Sequence, residues 1–513
     1  MLPGMHISTQ SQLDRATSSR SPARPELADA RRLARRFMVR TLAKARAEED
    51  SVSHLLAGHL GADAGALPVA KGSWRGFDRV NLQTGLDAWL ARPGRTHQLV
   101  GLSGHRHSDF GLTDLLSGAT HWGIGVGSIA TEALPSGPGG LKRSCVQCGL
   151  YLIQEARGAA ALLLRASDDY SRSGPTLEVV TAGPDWAPEI VADIRRLAVE
   201  HNVFRGHVIA FGGEMFGDDD DSPLTFLDRP TVSRDQVILP DAILDGIERQ
   251  VVGVARYGRR LLASGQHLRR GILLYGVPGT GKTHTVRYLL GKLHGVTCII
   301  LSGGALRYIA AACSVARVLQ PALIVVEDVD LIAEDRDMDD SNALLFQLLN
   351  EMDGIGNDID VTFLLTTNRA DLLEQALAAR PGRVDHAAEL TVPDAQARSR
   401  LIRLYQGGLD LRLSDEDAII APTEGVTASF IKELLRRAAL LAAEQDDATI
   451  GVPVDGTHAD GGAGSLSAET PIRVTDEHMA AALDQLLDTR SAMTQVLLGG
   501  GPTAAKRSGT TVS

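Results

Sequence analysis

The chain has 513 residues, too many for one ordinary hydrophobic core, and length alone points to roughly three domains. Its 44% hydrophobic content is ordinary for a soluble globular protein, but aromatics make up only 4%, so the cores must rest on Leu, Val, Ile and Ala. A formal net charge of -11 argues against broad, non-specific nucleic-acid binding, which needs excess Lys and Arg.

Residues 1–25 are rich in Ser, Thr, Gln and Arg and read as a disordered tail. They lack the continuous apolar stretch of a secretory signal. No apolar run anywhere approaches the roughly 20 residues needed to span a bilayer. With only four cysteines there is no disulfide framework, so a reducing cytoplasm is the expected setting.

From Glu26, Leu27, Ala30, Leu33, Ala34, Phe37 and Leu42 recur at helical spacing. The opposite face carries Arg31, Arg32, Arg35, Arg36 and Arg40. Such a helix packs its apolar stripe on its own protein or docks on a partner or membrane. Residues 60–215 read as mixed α/β. Strands are expected near Ala160–Leu164, Leu177–Val180 and Val203–Phe211, with a helix over Pro188–Asn202. Domain 26–217 is therefore read as a helix plus a mixed α/β domain, and nothing in it identifies a reaction. The acidic run at 218–223 reads as a solvated linker.

From Leu224 to about Leu390, strands alternate with helical stretches, the signature of a parallel α/β sheet. A helical region follows in 391–498, interrupted at 446–471 by a flexible Gly-, Asp- and Thr-rich insertion. A last helix is expected over Thr475–Leu498, and 499–513 reads as a disordered tail.

The chemistry is concentrated in 224–390. The apolar strand Gly271–Tyr275 runs directly into Gly276-Val277-Pro278-Gly279-Thr280-Gly281-Lys282-Thr283, a complete match to G-x-x-x-x-G-K-[ST], and a helical stretch follows. Glycines let the backbone curl so that its N–H groups point at phosphate oxygens, and the helix N-terminus adds its dipole. Lys282 would reach the β and γ phosphates, and the Thr283 hydroxyl would ligate Mg2+. These features predict ATP binding. About 40 residues on, Leu323–Val326 end in Glu327 and Asp328. A buried parallel strand delivers carboxylates at its C-terminal end, where ligands sit in open α/β sheets. One carboxylate would hold Mg2+ and the next would polarise the attacking water. A third strand, Val361–Thr367, ends in Asn368, which either contacts the γ-phosphate or simply begins a turn. Arg380 and Arg383 flank a Pro-Gly turn that reads either as a surface loop or as arginine fingers.

Taken together, these residues resemble the AAA family of ATPases. Leu348-Leu349-Asn350-Glu351-Met352-Asp353-Gly354 is close to a family hallmark, Thr366-Thr367-Asn368-Arg369 looks like sensor 1, and Arg380-Pro381-Gly382-Arg383-Val384-Asp385 looks like the second region of homology. The resemblance covers Val232 to Ala443. It implies a P-loop NTPase αβα sandwich with a C-terminal helical lid, preceded here by the mixed α/β N-terminal domain. It also implies a homo-oligomer, usually a hexameric ring, that works on protein substrates, with Arg380 and Arg383 reaching a neighbour's γ-phosphate.

The sequence departs from the family at several points. The usual acid order at the end of the Walker B strand is Asp then Glu; here Glu327 precedes Asp328, leaving the water-activating carboxylate one methylene short. Tyr308 is the only aromatic in the shortened 302–321 stretch, so it is either the substrate-gripping pore-loop residue or a ring packed under that loop. Val426-Thr427-Ala428-Ser429 stands where relatives often show Ser-Gly-Ala, which puts lid contacts to the nucleotide in doubt. Cys145 and Cys148 form a lone CxxC, which reads either as half of a zinc site completed by His105 and His107 or as buried, incidental thiols. No H-E-x-x-H occurs, so no fused zinc protease is expected. The sequence expectation is an Mg-dependent ATPase that remodels protein substrates, the alternatives being an ATP-binding scaffold of low turnover and a nucleic-acid-associated loader.

Overall fold

A computed structural model describes residues 52–61, 63–104, 110–118, 124–166, 174–183, 185–212, 224–330, 340–356, 358–371, 384–450 and 471–487. The basic helix expected after Glu26, the acidic run at 218–223, His105, His107, and most of the insertion lie outside these residues.

In chain order the first half comprises α1 (Val52–Leu60), β1 (Val69–Ser73), α2 (Arg79–Leu90), β2 (Arg95–Ser103), α3 (Leu112–Ser117), β3 (Gly125–Gly127), β4 (Ala130–Pro135), β5 (Lys142–Glu155), β6 (Gly158–Arg165), β7 (Thr176–Thr181), α4 (Ala187–Glu200) and β8 (Val208–Phe211). Strands β1 to β7 form one sheet, ordered β1-β7-β6-β5-β2-β3 with β4 added on β5, and every pairing in it is antiparallel. Both faces are covered. Leu56, Leu112, Leu115, Leu150 and Leu163 meet on one side, and Leu82, Leu86, Trp89, Leu162, Ile190 and Ile194 on the other. That double burial explains why β6 reads as an unbroken apolar run rather than an alternating one.

The second half comprises β9 (Leu224–Leu227), α5 (Asp241–Glu248), α6 (Val254–Ala263), β10 (Arg270–Tyr275), α7 (Lys282–Lys292), β11 (Thr297–Ser302), α8 (Ile309–Val318), β12 (Ala322–Glu327), α9 (Asp340–Asp353), β13 (Val361–Thr367) and β14 (His386–Glu389). Its sheet is ordered β14-β10-β13-β12-β11-β8-β9, parallel throughout except for the edge strand β9. Leu323, Ile324, Val325 and Val326 of β12 are all buried, so each apolar side chain contributes roughly 1.5–3 kcal/mol on whichever face it meets.

The expected break at 218–223 does not coincide with the edge of this sheet. Strand β8, assigned by sequence to the N-terminal domain, pairs in parallel with β11, Cys298 opposite Val208. The two halves also share a core: Phe77, Val80 and Cys145 cluster with Ile299, Leu301, Ile324 and Leu365. The junction is further tied by Val203 N donating to Asn81 Oδ1 at 2.9 Å and Gly206 N to Thr297 Oγ1 at 3.0 Å.

The lid comprises α10 (Ala395–Tyr405), β15 (Asp410–Arg412), α11 (Asp417–Ile420), α12 (Ala428–Ile450), β16 (Arg473–Thr475) and α13 (Asp476–Leu487). It is mainly helical around Phe430, Ile431, Leu434 and Met479, but β15 and β16 add a short parallel ladder that the sequence reading did not include. Helix α12 continues to Ile450, into the stretch expected to be flexible from 446. No helix among the described residues is long and apolar enough to cross a membrane.

Candidate ATP site

Strand order places the site. Because β13 lies between β10 and β12, the C-terminal ends of three neighbouring strands bring together the loop 276–283, Asn368, and the acids Glu327 and Asp328. Ligands in open α/β sheets bind at this carboxyl edge.

The loop takes the conformation its glycines permit. Gly276, Gly279 and Gly281 have φ of 148°, 83° and 99°, a region that side chains with a Cβ rarely adopt. A Cβ on Gly276 would lie 2.3 Å from Leu390 O, so that position excludes alanine on space as well as on backbone strain. Thr280 Oγ1 donates to Val277 O at 3.0 Å, tightening the turn, and Val277 stays exposed at the loop's rim. Gly281 caps α7, whose first residues are Lys282 and Thr283. The Lys282 ammonium is buried and donates to Gly276 O at 2.7 Å and Val277 O at 3.1 Å, so it is folded over the loop. Burial pulls its pKa down, and the charges of Asp328 and Asp330 oppose that pull.

The acids divide their contacts. Glu327, the last residue of β12, lies beside the Thr283 side chain, while its Oε1 is buried without a hydrogen-bond partner. Burial pushes its carboxyl above the ordinary range, the adjacent Thr283 side chain works against that, and the neighbouring Asp328 charge adds to it. An under-satisfied carboxylate oxygen beside a hydroxyl is a donor set suited to Mg2+, a hard cation that takes oxygen ligands. Asp328 leaves the strand in the left-handed region, φ 52°, the only non-glycine described residue to do so. Its N–H donates to Thr366 Oγ1 at 3.0 Å, and its Oδ1 lies 3.4 Å from Asn368 Nδ2. Successive side chains in a strand point to opposite faces, but strand geometry stops at Glu327 and the left-handed turn at Asp328 breaks that alternation.

Some contributors were not singled out from sequence. Asp330 is buried and accepts from Thr367 Oγ1, Asn368 N and Asn368 Nδ2. The only signal was its place two residues after Asp328. In the lid, Ser429 N donates to Gly279 O at 3.2 Å and the Ser429 hydroxyl reaches the same carbonyl at 3.5 Å. The lid therefore touches the phosphate loop despite its departure from Ser-Gly-Ala. Arg380 and Arg383 lie outside the described residues.

Two other sequence candidates take plainer roles. Tyr308 stacks on Phe211, centroids 5.5 Å apart at 25°, and Phe211 in turn meets Phe77 edge-on. Cys145 and Cys148 enter different core clusters, so the two thiols do not converge on one ligand, and no group of three or more metal-ligating side chains occurs among the described residues. Burial pushes the Cys145 thiol up to about 11.

A glycine loop at a strand–helix junction, a lysine folded over it, and a carboxylate beside the helix's first hydroxyl define a P-loop ATPase. Residues 272–392 match the family model described as ATPase family associated with various cellular activities (AAA). That stretch is an AAA ATPase domain, which implies ATP as its nucleotide and Mg2+ as its metal. It is similar to the ATP-dependent zinc metalloprotease FtsH 1 of Thermomicrobium roseum, 30% identical over 239 residues, covering 44% of this chain and 36% of the relative. It is similar also to FtsH 2 of Symbiobacterium thermophilum, 32% identical over 239 residues, covering 43% and 39%. A third relative, FtsH of Thermus thermophilus, is 30% identical over 213 residues, covering 38% and 34%. The chain thus spans little more than a third of the length of these relatives.

Proposed function

We propose that this protein hydrolyses ATP as a ring-forming homo-oligomer, a hexamer as the AAA resemblance implies, and uses the cycle to remodel a protein substrate or adaptor held by its N-terminal domain. The observation that carries the hydrolytic part is the division of the acids: Glu327 faces Thr283, and Asp328 faces Asn368. In this reading the N–H groups of 276–283 and Lys282 hold the phosphates, and Thr283 and Glu327 hold Mg2+. Bound there, Mg2+ neutralises charge on the phosphate oxygens. Asp328 takes the proton as water oxygen bonds to the γ-phosphorus and the bond to the bridging oxygen breaks, and Asn368 orients the water. Arg380 and Arg383 would act across a subunit boundary, which makes activity depend on assembly.

Coupling to the N-terminal domain is supported by β8, which extends the ATPase sheet, and by the shared core around Phe77 and Phe211. The proposal includes a cytoplasmic setting, no nucleic-acid partner and no proteolysis by this chain, whose sequence holds no H-E-x-x-H. A second reading, an ATP-binding scaffold of low turnover, is favoured by the short Asp328 carboxylate on its left-handed backbone. Steady-state turnover decides between them. Asp328→Asn should keep ATP binding and lower kcat about 10²–10⁴-fold, the usual contribution of a general base. An assembled wild-type protein that binds ATP without measurable turnover would leave only the scaffold.

A further inference from the structure

Asp330 is 5% exposed, and its carboxylate is fully engaged with two consecutive residues at the end of β13. Oδ1 accepts from Thr367 Oγ1 at 2.9 Å and from the Asn368 backbone N at 3.1 Å, while Oδ2 accepts from Asn368 Nδ2 at 3.3 Å. The same Nδ2 lies 3.4 Å from Asp328 Oδ1. The Asn368 amide therefore sits between two carboxylates, each facing its NH2 group. An amide can turn over to present oxygen instead of nitrogen. Two carboxylates on one side remove that freedom, because the flipped oxygen would face both. With the NH2 committed, Asn368 Oδ1 is directed away from the acids.

We infer that Asp330 is a positioning residue for hydrolysis, fixing the orientation of Asn368 and, through it, the hydrogen bond that Asn368 gives Asp328. This rests on the hydrolytic reading above. The plain alternative is that Asp330 only closes the end of β13, as a buried carboxylate must find donors somewhere. That role would show in stability and not in the chemical step. The inference instead places the loss in kcat and couples it to Asn368. Asp330→Asn is the sharpest change, because one acceptor is retained while an NH2 group is set against the NH2 group of Asn368 or the hydroxyl of Thr367.

The test is a double-mutant cycle on the full chain: wild type, Asp330→Asn, Asn368→Ala, and both together, each measured for ATP turnover, nucleotide affinity and thermal midpoint. Asp330→Asn should lose about 10–100-fold in kcat, the range for hydrogen bonds to a charged group. ATP affinity should stay within about twofold. The double variant should be no slower than Asn368→Ala alone. Wild-type kcat in Asp330→Asn, or losses that multiply in the double variant, would overturn the inference. If Asp330→Asn does not fold, Thr367→Val, which removes one donor to Asp330 without changing charge, replaces it in the cycle, and multiplicative losses there are equally fatal. A wild-type protein that binds ATP without turnover overturns the hydrolytic reading and this inference with it; an active wild type with an indifferent Asp330→Asn overturns this inference alone.

Discussion

The Thr283 side chain, in the first turn of α7, lies beside the Glu327 carboxylate at the end of β12 and favours its ionised form. Glu327 is half-buried, its Oε1 is buried without a hydrogen-bond partner, and its surroundings as a whole favour the protonated acid. A carboxyl with a raised folded pKa contributes stability that is fully present below its ordinary value of 4.5 and is lost as pH rises through the folded value. At neutral pH the ionised Glu327 is thus a cost to the nucleotide-free protein. Glu327→Gln should raise the thermal midpoint of that state at neutral pH, by on the order of 2 °C, and flatten its pH dependence above 4.5. The same variant should need about 10–100-fold more Mg2+ for half-maximal turnover. Scanning fluorimetry across pH and a Mg2+ titration read both effects; a lower midpoint for Glu327→Gln at neutral pH would contradict the assignment.

Gly279 is the point where the lid meets the phosphate loop. Its φ is 83°, and a Cβ there would lie 2.9 Å from both Ser429 Oγ and Thr427 Oγ1. Gly279→Ala therefore meets two penalties, the left-handed backbone, worth about 1–2 kcal/mol, and displacement of the start of α12. ATP affinity should fall about tenfold or more. Ser429→Ala is the control: the backbone N–H at 3.2 Å remains and only the 3.5 Å hydroxyl contact is lost, so affinity should stay within about twofold. A fluorescent-nucleotide titration compares the two. Equal affinity in Gly279→Ala and wild type would show that the lid contact does not shape the site.

What the sequence made legible follows from where local chemistry dictates structure. The loop 276–283 needs positive φ at set positions, so its glycines announce it, and the runs 272–274, 323–326 and 363–365 are unbroken apolar stretches because both sheet faces are covered. Lys282, Thr283, Glu327 and Asn368 could be placed for the same reason: each sits at the end of such a strand or loop. Asp330 could not be weighted from its spacing, because its partners Thr367 and Asn368 come from another strand. The left-handed Asp328 was hidden too, since its turn is held by Thr366 across the sheet. The domain boundary was misplaced for a topological reason. A solvated acidic run marks a loop, but only pairing partners reveal which sheet the strand before it joins, and β8 joins β11.

Tyr308 offers a test of how the N-terminal domain is coupled. Its ring stacks on Phe211 of β8, its hydroxyl accepts from Arg307 Nη2 at 3.2 Å, and the Arg307 guanidinium lies 4.9 Å from its centroid. Phe211 carries the contact on to Phe77. The ring is thus a bridge between the end of β11 and the strand that the first domain contributes, and it is half-buried by that role. Tyr308→Ala should cost about 1–2 kcal/mol of stability, the scale of an aromatic pair plus part of its buried area. Tyr308→Phe keeps the stack and should match wild type in both thermal midpoint and basal turnover. A residue that grips substrate would behave in the opposite way, with Tyr308→Ala leaving the midpoint unchanged and abolishing only substrate-dependent work. Thermal midpoints with and without ATP, read beside basal turnover, separate the two: an unchanged midpoint in Tyr308→Ala would return Tyr308 to the pore-loop role and remove the aromatic bridge from the coupling path.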